Sequence, residues 1–257
     1  MRQLRIICLV TSVFTALSLQ LYAQNSTQPG TYSKPPQTDV SPEAPVAVAL
    51  FEDNLPWGSG QNESILAARG VSFLVFTSDR MADLDLTQFR KVVLVSQQPD
   101  LYYTRLEANR ARFENYVNAA EGILEMHLAN GGGSQVERIT LPFGLRVTPT
   151  FCSNSVSIVD PTDPLLTTPN AITSSELQSW NCSAHGALIG VDAVGLNVVT
   201  NNVEGPQGPA TAEGRAGFCG GILVVTYSPV EWMGTPNTRR FNENMLCFGL
   251  TGIGTCP

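Results

Sequence analysis

Residues 122–133 read GILEMHLANGGG, an apolar run with a histidine near its end and three glycines behind it. Mixed β-forming residues leading into a glycine-rich turn describe a buried strand that hands the chain to a loop. Three more apolar runs precede it: VAVALF (46–51), VSFLVF (71–76) and VVLVS (92–96), with successive starts 25, 21 and 31 residues apart. Nearly continuous, largely β-branched runs of this kind predict strands buried on both faces, as in a parallel sheet covered by helices. The connecting pieces agree. Residues 62–69 (NESILAAR) open on a capping-type Asn62 and stop at Gly70, which predicts a short helix. Residues 101–120 set Tyr102, Leu106, Phe113, Val117 and Ala120 on one helical face. Asn109 and Arg110 interrupt that stripe, and Glu107, Arg112, Asn115 and Asn118 point away from it. The stretch 77–90 reads as irregular.

Beyond Gly131 the pattern changes. Residues 134–216 are rich in Pro, Thr, Asn and Gly with only short apolar pieces, and read as an elaborated β and loop region covering the sheet's edge. A buried strand returns at GILVVTY (221–227), and a final helix is expected around 238–248. The order predicts an α/β fold with an open, doubly wound, mostly parallel sheet.

The N-terminus has the three-part build of a signal peptide. A basic start (Met1 to Arg5) leads into a largely apolar Ile6 to Leu21, with Ala23 before the expected cut. Cleavage there removes Arg2 and Arg5 and no acid, so the net charge moves from −7 to −9. Residues 24–44 hold four prolines and almost no large apolar side chain, so they read as a disordered linker. One domain, 45–257, remains, and a secreted or periplasmic location is expected. Its surface is acidic and Lys34 and Lys91 are the only lysines, which argues against nucleic acid and against anionic membrane surfaces after cleavage. No motif requires a cofactor. Gly131-Gly132-Gly133 lacks the lysine and serine of a phosphate loop, and Asp160-Pro-Thr-Asp163-Pro reads as a proline-fixed turn.

Five cysteines survive cleavage: Cys152, Cys182, Cys219, Cys247 and Cys256. None forms a CxxC pair, so a structural zinc site is not expected, and export favours disulfides. A Cys152–Cys182 bridge would staple the elaborated region. Cys256 would tie the tail LTGIGTCP (250–257) to Cys247 or Cys219, with Cys247 favoured because the tail can fold back on the last helix. Sequons stand at Asn25, Asn62 and Asn181.

The order of these pieces resembles the class I glutamine amidotransferase-like superfamily, nearer its secreted or trehalose-utilisation-type branch. The pieces that carry the resemblance are VALFEDNLPWG, QFRKVVLVS, NYVNAAEGILEMHLAN and GILVVTYSPVEW with RRFNENMLCFGL. It implies a flavodoxin-like fold. In active members the strand resembling GILEMHLAN ends in a turn carrying a nucleophilic cysteine, and here that place holds His127, Leu128 and Ala129. The family's His-Pro-x-Glu after the closing strand reads Ser228-Pro229-Val230-Glu231, which keeps the glutamate alone. Thioester chemistry needs both thiolate and imidazole, so glutamine hydrolysis is not expected.

In such a sheet, ligands gather beyond the carboxyl ends of the strands. Glu52, Asp53, Trp57, Gln97, Gln98 and His127 are expected at that edge with Glu231, and His185 is expected to hang over it from WNCSAHG. The first functional reading is a domain that binds a small polar molecule such as a carbohydrate, on which Trp57 would stack. A second is a hydrolase using His127 with Glu231 or Glu52, with or without a metal. A structural or adhesion domain on a stalk is the third. A histidine at a strand end can equally serve only to organise its turn.

Overall fold

The computed structural model describes residues 46–178, 180–215, 221–232 and 235–257. The expected signal segment, the expected 24–44 linker, Cys219 and the Asn25 sequon lie outside these. The described chain runs β1 (Val48–Phe51), α1 (Gln61–Ala68), β2 (Phe73–Phe76), β3 (Lys91–Leu94), α2 (Asp100–Ala120), β4 (Ile123–His127), β5 (Arg146–Val147) and β6 (Val156–Ile158). It continues with α3 (Pro164–Thr167), α4 (Ser174–Leu177), β7 (Leu188–Ile189), α5 (Val191–Val194), β8 (Asn197–Asn202), β9 (Gly208–Arg215), β10 (Ile222–Thr226) and α6 (Pro236–Cys247).

Eight strands form one sheet in the order β2-β1-β3-β4-β10-β9-β8-β6. The first five are parallel, and the last three continue the sheet antiparallel. The fold is thus α/β, open and mostly parallel. The continuous apolar runs are explained by two cores. Ala49, Phe51, Val92, Leu94, Leu124 and Met126 pack on one face against Tyr102, Leu106, Phe113 and Val117 of α2. Val48, Leu50, Val93, Val95 and Ile123 pack on the other against Ile65 and Leu66 of α1 and Leu246 of α6. Each such large side chain stabilises the fold by roughly 1.5–3 kcal/mol.

Three expectations change. The run at 71–76 was expected to be buried on both faces, but β2 is an edge strand with one neighbour, and Val75 is 45% exposed. Asn62 does not cap α1. Gly60 precedes the helix, and Asn62 lies in its first turn at 1% exposure, its amide engaged in the interior. The described part of 134–216 does more than cover the sheet's edge. Through β9, β8 and β6 it extends the sheet itself, while α3 and α4 pack on α6.

Among the described residues two disulfides are present, Cys152–Cys182 and Cys247–Cys256, with Cα separations of 4.6 and 5.2 Å. The second holds the tail against α1, where the Thr255 amide donates to Arg69 O (2.6 Å) and Arg69 Nη1 donates to Thr255 O (3.3 Å). The Asn62 sequon is buried and that of Asn181 is exposed. Among the described residues, no helix is long and apolar enough to cross a membrane.

Candidate functional site

Glu125 and His127 are two residues apart on β4, so both point to the same face as Ile123, beneath α1 and α6. Both are fully buried. His127, expected to face the sheet's edge, is instead enclosed between two carboxylates. Its Nε2 lies 2.6 Å from Glu125 Oε1 and its Nδ1 lies 3.0 Å from Glu231 Oε1, the latter an ion-pair approach without hydrogen-bond alignment. At one end of the chain of charges, Lys91 Nζ reaches Glu125 Oε2 at 2.5 Å. The same ammonium donates to the carbonyls of Met245 (2.6 Å), Leu246 (3.1 Å) and Phe248 (3.1 Å) at the C-terminal end of α6. At the other end, Glu231 accepts from Asn62 Nδ2 (2.5 Å) and from the Ser96 amide (2.8 Å). Asn242 Nδ2 in turn donates to Asn62 Oδ1 (2.8 Å).

Both ring nitrogens of His127 face carboxyl oxygens, a setting that favours the imidazolium, and Lys91 adds a second cation beside Glu125. Burial works against the imidazolium, but Glu231 and Glu125 outweigh it and raise His127 to about 9. Burial would also raise Glu125, yet Lys91 and His127 hold it below the usual carboxylate range.

The edge beyond β1, β3 and β4 carries the remaining expected residues. Gln98 is a bracket: its Oε1 accepts from the Asp53 and Asn54 amides, and its Nε2 donates to Asn54 O and Ser96 O. Asp53 is committed as well, its carboxylate accepting from the Ser78 amide and hydroxyl at 2.6 Å each. Gln97, held in the left-handed region at φ 52°, accepts from the Trp57 amide through Oε1 (2.8 Å). Trp57, also left-handed, donates its indole N–H to Ser96 Oγ (3.0 Å) and remains half-buried. Ser96 therefore joins this edge to the buried charges, because its amide is the one that holds Glu231.

His185 meets the same edge, its ring 5.5 Å from that of Trp57 and 6.2 Å from that of Tyr227, both tilted edge-on. Its Nδ1 donates to Asn130 O (2.8 Å), a carbonyl that can only accept, so Nδ1 carries the proton. No described residue donates to Nε2. Burial lowers His185 and keeps the ring neutral. The neighbouring glycine is required: Gly186 has φ 134°, and a Cβ there would run into Thr148 Oγ1 and the Tyr227 ring. Glu52, 8% exposed at the end of β1, has an Oε2 without a partner, and burial, then Glu63 and Glu231, raise its carboxyl to about 9. Among the described residues, no group of three or more His, Cys, Asp or Glu side chains converges to hold a metal.

Lys91, Glu125, Asn130 and Tyr227 were not singled out from the sequence. A signal for the first two existed. A carboxyl and an imidazole at i and i+2 of a strand covered by helices mark a buried polar cluster, and Lys91, the domain's only lysine, stands at the start of the neighbouring apolar run.

No protein-family model matches this sequence, and no curated protein matches it. Among solved structures, the chain is similar to a Thermoplasma acidophilum protein that is provisionally assigned as one of the subunits of GMP synthase. Identity is 13%, the TM-score is 0.51, and the match covers 79% of this chain and 93% of that one. At that identity the likeness shows the fold alone, α/β with an open, mostly parallel sheet of the flavodoxin-like kind.

Proposed function

We propose that this is an exported amidotransferase-like domain that does not hydrolyse glutamine and binds a small polar ligand, a carbohydrate, at the C-terminal edge of the sheet. The observation that carries this reading is the setting of His185. Its proton is anchored on Asn130 O and its Nε2 is left as an acceptor beside the Trp57 indole. Trp57 offers an aromatic surface for a sugar ring, and the Gln97 and His185 side chains supply polar groups. No cysteine stands between residues 9 and 151, so no thiol is available where β4 ends. The two disulfides agree with an oxidising compartment. His127 and Glu231 serve as the internal frame beneath this edge.

The test is a thermal-shift screen of the purified protein against monosaccharides and disaccharides, repeated with His185→Ala. A ligand that raises the melting temperature of the parent and leaves His185→Ala unshifted supports the site. A shift preserved in His185→Ala and Trp57→Ala moves the site elsewhere. A hydrolase built on His127 with Glu231 or Glu52 is the second reading, favoured by the 3.0 Å approach of His127 to Glu231. Turnover of ester or glycoside substrates that survives His185→Ala but not His127→Gln would select it.

A further inference from the structure

The loop that delivers His185 is held by a ladder with a covalent clasp at its open end. β5 and β7 pair Arg146 with Ile189 and Val147 with Leu188. The pairing continues beyond them: the Thr148 amide donates to Ala187 O (2.9 Å) and the Phe151 amide to His185 O (2.9 Å). Ser153 and Ala184 exchange both backbone bonds, at 3.0 and 3.2 Å. The Cys152–Cys182 disulfide closes this end three residues from His185. Cys182 is held at φ 61°, a left-handed conformation that is costly for a non-glycine residue and persists only where its surroundings impose it.

The two disulfides differ in access. Cys152 is exposed and Cys182 half-buried, whereas Cys247 and Cys256 are each 4% exposed within the core between the sheet, α1 and α6. Thiol–disulfide exchange needs direct approach of a thiolate to sulfur, so the first bridge is open to attack and the second is shielded.

We propose that Cys152–Cys182 is a redox clasp on the ligand edge: a dithiol opens it selectively and releases His185 from its fixed position. The step is balanced. The dithiol gives two electrons and two protons, the S–S bond becomes two thiols, and the reductant leaves as its own disulfide. Cys182 can then abandon its left-handed conformation, and the ladder frays from the open end through Ala184 and Phe151 to His185. The proposal rests on His185 belonging to the ligand site, but its structural half stands apart from that reading.

The full chain is titrated with dithiothreitol, the opened pair is identified by alkylation and peptide mapping, and amide exchange is followed at Phe151, Ser153, Ala184 and His185. The expected result is alkylation of Cys152 and Cys182 at least tenfold faster than of Cys247 and Cys256. Exchange at those four amides then rises tenfold or more while β3 and β4 stay protected. The variant Cys152→Ser/Cys182→Ser should show the same exchange without reductant. Earlier opening of Cys247–Cys256, or unchanged exchange after selective opening, overturns the proposal. A sugar that binds the oxidised protein should bind the reduced form at least tenfold more weakly, and equal affinity overturns the regulatory half. If no sugar binds the oxidised protein, the ligand reading fails while the exchange result still decides whether the clasp exists.

Discussion

Glu52 shows how much one buried carboxyl shapes the response to pH. Its folded pKa of about 9 stands above the ordinary 4.5, so the folded chain keeps a proton that the unfolded chain gives up between those values. By linkage, this group's contribution to stability falls as pH climbs from 4.5 to 9. Glu52→Gln keeps the shape and cannot ionise. We expect its melting temperature at pH 8 to exceed the parent's by a few degrees, with the two converging near pH 4.5. Thermal unfolding across that range checks this, and parallel curves at every pH would show that Glu52 is not buried as a neutral acid. His127 behaves differently on replacement. His127→Ala leaves Glu125 and Glu231 facing each other in the interior, and the loss should be about 3–5 kcal/mol by denaturant unfolding. A loss below 1 kcal/mol would mean that water fills the gap.

At the scale of elements, Lys91 links β3 to α6. At the end of α6 the Met245 carbonyl already accepts from the Phe248 amide (3.0 Å), and a buried ammonium from the sheet binds it together with the Leu246 and Phe248 carbonyls. Lys91→Met should raise amide exchange along α6 more than along α2. Combined with Glu125→Gln it should cost less than the two single changes summed, because each alone strands the other's charge. Additive costs would count against a coupled pair. The elements themselves were largely legible. β1, β3, β4 and β10 were visible as apolar runs, because two covered faces favour apolar residues at most positions, Lys91, Glu125 and His127 being exceptions. β2 carries the same kind of run at an edge, and composition does not distinguish the two situations. The β character of 134–216 was read, but that β6, β8 and β9 join the main sheet was not, since pieces such as GPATAEGR alternate small and polar residues with Gly and Pro. At the site, Trp57, Gln97 and His185 could be placed on the strand ends by topology. The orientation of His127 could not, because it depends on Lys91 and Glu231, which are distant in sequence.

For the molecule as a whole, the raised pKa of His127 sets an alkaline limit. Its contribution is complete below the ordinary 6.5 and is lost as pH rises through about 9, the direction in which Glu52 also acts. Stability should therefore decline steadily from pH 6.5 to 9. In a Glu52→Gln background the remaining decline belongs to His127, and midpoints in urea measured at half-unit steps will show whether it persists. A flat profile in that background would contradict an imidazolium in the folded state.

The strand order carries a consequence for how the chain is made. β10 sits between β4 and β9, in the middle of the sheet, yet it leaves the ribosome roughly a hundred residues after β4. Until then β4 presents a bare backbone edge, and His127 waits for Glu231. Asn62 and Glu231, bonded in the finished fold, lie 169 positions apart. A nascent chain that stops short of β10 is left with an open strand edge and unbalanced charges in its interior. Such a fragment is a template for aggregation rather than a smaller domain. The growing chain thus has to be kept soluble until residues 222–257, about its last seventh, are available.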